Sequence, residues 1–292
     1  MGNFAEARGG SGQRIDTLQI GLIAALIALA AAAWGLTESA AEGMNMGPGS
    51  DLGSLSFYLA AWVVMMAAMM FPSISPMVRA YALIQRHRNA RRGLGEPTAA
   101  IAAFLGGYLL SWTIFGLAAY VIFNFLRGLD IHAFSWGQGG PYLAGAVILA
   151  AACYQLMPQK DACLSRCRSP LDFLTERWRD GAGGALRLGL EHGAWCVGCC
   201  WALMAALFAL GVMSIAWMAL IAALIAAEKL LPWKALANRG IAVLLVGLGL
   251  SVALAPGRVP GLVLPNSSKA MQAMGGESTS AGPMGRSGVG NP

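Results

Sequence analysis

Glu191-His192-Gly193-Ala194-Trp195-Cys196-Val197-Gly198-Cys199-Cys200-Trp201 opens an apolar run that continues to Leu210, and its periodicity decides how the chain is built. At ~100° per residue, His192, Cys196, Cys199 and Cys200 fall within an arc of roughly 100° on one helical face. Three thiols and an imidazole on one face form a ligand surface. The apolar residues behind them, from about Leu188 to Leu210, are enough for a helix that crosses a bilayer. Upstream, Cys163 and Cys167 stand four residues apart, so a helical turn points both thiols the same way.

The rest of the chain supports the membrane reading. Its 292 residues are 57% hydrophobic and only 12% charged, with the charges confined to short stretches between Ala/Leu/Ile/Met runs. No polar block is large enough to fold in water as a separate domain, so the expected fold class is an all-α polytopic transmembrane helical bundle. About seven spans can be read, at roughly 18–36, 55–77, 99–126, 141–157, 188–210, 215–231 and 240–254. Residues 1–16 read as a polar tail, 17–255 as the transmembrane domain and 256–292 as a disordered Gly/Ser/Pro-rich tail. Residues 159–185 read as the main cytoplasmic loop. There Ser169-Pro170 signals a short interfacial helix, with Leu171, Leu174 and Trp178 on its apolar face. Pro72 and Pro76 predict a kink at the inner end of the second span.

Charge sets the orientation. Sixteen of the twenty Lys/Arg fall in the proposed inner segments, leaving Arg127, Arg258, Lys269 and Arg286 for all the others. The positive-inside rule then puts the N-terminus in the cytoplasm and the C-terminus outside, in a cytoplasmic (inner) membrane. It also accounts for the net charge of +6 without nucleic acid as a partner. All six cysteines come to the inner side. At 1.5 Å per residue, Cys199 and Cys200 lie about 10–12 Å deeper than His192, close to the level of Cys153, Met69 and Met70.

Thiolates with imidazole suit Cu(I) and Zn(II), and thioethers favour Cu(I). The expected ligands are Cys163, Cys167, His192, Cys196, Cys199 and Cys200, with Cys153, Met69 and Met70 as further candidates. Lys160, Arg166 and Arg168 flank the first cysteine pair and favour its thiolate form. No catalytic residue is evident, and the expected role is transport or hand-off of a soft metal ion. Its partners would be lipid, the ion and a metal chaperone or acceptor metalloprotein. Two alternatives use the same residues: a thiol–disulfide oxidoreductase pairing Cys196/Cys199 with Cys163/Cys167, and a structural metal that staples the cytoplasmic loop to the fifth helix. His132, Met44, Met46 and the tail methionines Met271, Met274 and Met284 are weaker sites.

Several stretches together resemble one family. They are Met65-Met66-Ala67-Ala68-Met69-Met70-Phe71-Pro72-Ser73, Tyr154-Gln155-Leu156 with Pro158 and Lys160, Cys163-x3-Cys167-Arg168-Ser169-Pro170, His192-Gly193-x2-Cys196-Val197-Gly198-Cys199-Cys200-Trp201, and Glu228-Lys229. In combination they are similar to the family of predicted metal-binding integral membrane proteins, over about residues 55–235. The resemblance implies a multi-span bacterial or archaeal membrane protein with a metal site.

Overall fold

The computed structural model describes residues 3–41, 54–128, 139–211 and 214–259. His132, Met44, Met46 and the tail methionines lie outside them, as does the stretch expected to be disordered from residue 260 onward. Among the described residues the chain is all-helical. The helices are α1 (Asn3–Ala41), α2 (Leu55–Arg91), α3 (Thr98–Gly128), α4 (Gly140–Gln155), α5 (Pro158–Arg168), α6 (Pro170–Arg177), α7 (Gly181–Leu210), α8 (Ile215–Leu230) and α9 (Lys234–Leu254). A 3₁₀ turn at Pro256–Arg258 follows.

The apolar segments of the sequence are all helical, but most of the helices outrun them. α1 begins at Asn3 where a polar tail is expected, α2 continues to Arg91, and α7 starts at Gly181, so Gly183 and Gly184 are helical instead of releasing the chain. Apolar runs mark only the part of a helix that is buried or lipid-like, while its polar ends continue the same backbone hydrogen-bond pattern. Among the described residues, five helices (α1, α2, α3, α7 and α9) are long and apolar enough to cross a membrane. α4 and α8 have 16 residues each, and α4 meets α5 at a 66° bend.

Residues 159–185 differ most from expectation. They form two helices and the start of a third instead of a loop with one surface helix. Pro158 and Pro170 each occupy the first helical position, where a missing N–H costs nothing. On α6 the buried side chains are Phe173 and Leu174, while Leu171 is exposed, so the apolar face is rotated from the expected one.

α2 runs through both prolines. Pro76 has no N–H to offer the Pro72 carbonyl, and Ser75 Oγ donates to that oxygen at 2.9 Å instead. α3 and α7 pack backbone to backbone. A Cβ at Gly107 would fall 2.0 Å from the Leu186 carbonyl oxygen, and one at Gly189 would fall 1.9 Å from that of Phe104. Ser111 Oγ donates to the Leu190 carbonyl at 2.7 Å across the same seam. Small residues permit this approach, as in membrane helix pairs, and it brings the α3 side chains within reach of the cysteines.

At the basic end of α2, Arg88 and Arg92 each reach Asp180 at 3.0 Å, just before α7. A hydrogen bond from Trp178, followed by the Arg92 and Arg88 guanidiniums, holds the Asp180 carboxyl below the usual carboxylate range.

Candidate metal centre

The α7 helix carries Cys196, Cys199 and Cys200 at i, i+3 and i+4, and all three are buried. Their sulfurs lie within 4.8 Å of one another, the group of potential metal ligands found among the described residues. Cys199 Sγ is 3.2 Å from Cys200 Sγ and donates to its own helix at the Cys196 carbonyl, also 3.2 Å away. Cysteine is a weak donor, and three buried thiols have few better partners than each other or a soft cation.

The second cysteine pair arrives on α5. Cys167 Sγ stands 3.8 Å from Cys199 Sγ. Cys163 lies against Gly198, where a Cβ would come 2.9 Å from its sulfur. Both are half-buried. A buried ion pair fixes α5 in this place: Lys160 Nζ donates to both carboxylate oxygens of Glu228 at 2.7 Å, with 1% and 0% of the two side chains exposed. Gln155 Nε2 adds a bond of 2.7 Å to the same carboxylate. Arg168 donates to the Glu228 carbonyl at 2.6 Å and to that of Leu231. The end of α8 thus clasps both ends of the thiol-bearing helix.

The basic residues expected to serve the first cysteine pair have other partners. Lys160 and Arg168 hold α8, and Arg166 lies over the Trp195 ring at 4.6 Å. The cation at the thiols is Lys229, whose Nζ is 2.9 Å from Cys196 Sγ and 3.4 Å from Ser73 Oγ. A lysine ammonium has donors and no lone pair, so the sulfur is the acceptor in this contact. Tyr108 OH, from α3, is 3.1 Å from the same sulfur. Neither residue was expected in the site. The available signal was Glu228-Lys229, two opposite charges at the end of an otherwise apolar helix, which charge counting alone reads as a boundary mark.

His192 is not brought into the thiol group. It is buried one turn before Cys196, between Phe104 and Tyr108 (ring centroids 6.1 and 6.0 Å) and edge-on to Phe173 at 5.3 Å. Its Nδ1 has no hydrogen-bond partner among the described residues. Glu191 faces outward to Arg177 and Arg187, at 3.2 and 3.1 Å. Cys153 is exposed on α4 and stands outside the thiol group. Met69 and Met70 are buried on α2 in the same apolar core as the α7 thiols. Ser73 donates back within α2 to the Met70 carbonyl at 2.8 Å, and its contact with Lys229 at 3.4 Å joins α2 to the end of α8 beside the site.

These donors fit a soft metal ion. Metal–sulfur bonds of about 2.3 Å place sulfurs that share one ion roughly 4 Å apart; the Cys167–Cys199 separation of 3.8 Å meets that spacing, while Cys199 and Cys200 stand closer, at 3.2 Å. The triad contains sulfur alone, with no carboxylate to favour a hard cation.

Searches of curated proteins and of solved structures give no match. The family model described as PpoB2: Copper chaperone does match, over residues 59–252. That range starts inside α2 and ends inside α9, and so contains every cysteine together with Tyr108 and Lys229. With two thirds of its length matched and a sulfur triad at its centre, the chain belongs to the PpoB2 copper chaperone family.

Proposed function

We propose that this protein is a non-catalytic, multi-span protein of the cytoplasmic membrane that holds Cu(I) on Cys196, Cys199 and Cys200, with Cys167 as an adjoining donor, and passes it to an acceptor on the cytoplasmic side. The observation that carries this reading is the buried sulfur triad with a fourth sulfur 3.8 Å away. Soft donors select Cu(I), and burial protects it from water and oxygen. The Lys229 ammonium offsets part of the negative charge that three thiolates and one Cu(I) would leave in a low-dielectric site.

The membrane part of the proposal is supported by the five long apolar helices and by large apolar side chains that face outward along them, such as Ile114, Val121, Phe125 and Val243. The clustering of Lys and Arg at one set of helix ends supports a cytoplasmic N-terminus. Anaerobic titration of detergent-purified protein with Cu(I) against a chromogenic chelator tests the function. Stoichiometric binding that withstands the chelator is expected, and Cys199→Ser should abolish it. Binding unaltered by loss of any triad thiol would overturn the proposal.

A further inference from the structure

The five cysteines of α5 and α7 differ in depth: three are buried and two half-buried. Cys196, Cys199 and Cys200 are 0–1% exposed. Cys199 touches Cys200 at 3.2 Å on one side and Cys167 at 3.8 Å on the other. Cys163 is one turn from Cys167 on the same face of α5, and both are half-buried. On the rest of α5, Asp161, Ala162, Ser165 and Arg166 are exposed. Cys163 can lie on α7 because residue 198 is glycine: any side chain there would start 2.9 Å from the Cys163 sulfur. Tyr154 OH donates to the Gly198 carbonyl at 2.7 Å and holds this part of α7 against α4.

We propose that Cys167 and Cys163 are way stations that carry Cu(I) out of the buried triad, ending at the part-exposed Cys163, where an acceptor with soft ligands collects it. The inference rests on the copper reading above and adds the route. Each step is a ligand exchange without redox change. The Cys167 sulfur forms a bond to Cu(I) as one triad sulfur releases it. The proton lost from Cys167 is matched by one taken up on the vacated thiolate, and copper stays Cu(I) throughout. The same exchange then passes the ion to Cys163 and on to a thiolate or thioether of the acceptor. Only short steps are needed, since exchange through a shared intermediate requires neighbouring sulfurs and not a free ion.

The test compares equilibrium content with release rate, using bathocuproine disulfonate as the probe because this bulky anion must collect copper at the surface. Full-length protein in detergent is loaded with Cu(I), and transfer to the probe is followed by stopped-flow absorbance. Cys163→Ser removes the last station. Gly198→Ala removes no thiol but displaces the Cys163 sulfur, and alanine is the better helix former of the two. Both variants should keep wild-type copper per chain and release it about tenfold more slowly, the low end for losing one group of a metal-handling set. Release at the wild-type rate in both variants would overturn the route. So would loss of bound copper in step with Cys199→Ser, which would make Cys163 a resident ligand. Failure of the copper reading itself is seen separately, as wild-type protein that binds no Cu(I).

Discussion

Lys229 Nζ lies 2.9 Å from Cys196 Sγ, so a cation from the end of α8 faces the first thiol of the α7 triad. A charged hydrogen bond of this kind contributes about 1.5–3 kcal/mol when buried. Lys229→Met should therefore weaken Cu(I) binding by roughly one to two orders of magnitude while leaving all six cysteines titratable with a thiol reagent. Lys229→Arg should retain more affinity than Lys229→Met. Competition titration against a chelator of known affinity measures both.

The Lys160–Glu228 pair is almost fully buried, and removing one partner strands the other charge. Glu228→Gln or Lys160→Met alone should lower stability by about 3–5 kcal/mol, whereas the double change to apolar residues should recover much of that loss. Thermal unfolding in detergent gives the comparison. A double variant as unstable as the worse single one would show that the loss comes from the missing bonds and not from a stranded charge.

His192 sits in an aromatic enclosure outside the triad. His192→Gln is expected to leave copper content unchanged, with any effect confined to stability. Elemental analysis of wild type, His192→Gln and His192→Cys decides the point. Less copper in the Gln variant, rescued by Cys, would restore His192 to the ligand set that its sequence spacing suggests.

Asp180 joins the basic end of α2 to the start of α7. Because its folded-state value is depressed, this tie is complete above the usual carboxylate value and is lost as pH falls through the lower folded one. Asp180→Asn should reproduce the acid effect at neutral pH. Faster amide exchange around residues 178–184, in acid or in the variant, is the expected signal, and no change would show that the helix junction holds without the ion pairs.

The α7 face was legible from spacing alone, because i, i+3 and i+4 cysteines must share a side of any helix. The all-helical architecture was legible for a similar reason: long apolar runs without strand alternation leave few other choices. Helix ends were not legible, since Arg79–Arg91 and Gly181–Leu188 are too polar to count as apolar runs yet continue the backbone pattern. The place of His192 depended on Phe104 and Tyr108 from another helix. The role of Lys229 likewise required knowing that α8 crosses α7 at Cys196. Such contacts between distant segments leave no local period in the sequence.

Glu228 and Lys229 are consecutive, yet one grips α5 and the other faces the triad. A rotation of α8 by about 100° would, in one sense, present the carboxylate to the sulfurs and, in the other, the ammonium to Lys160. Either rotation sets like charges together, so a misthreaded α8 is rejected whichever way it turns. The last turn of this helix therefore works as an index mark: the chain cannot close the thiol chamber unless α8 has docked in its one correct register.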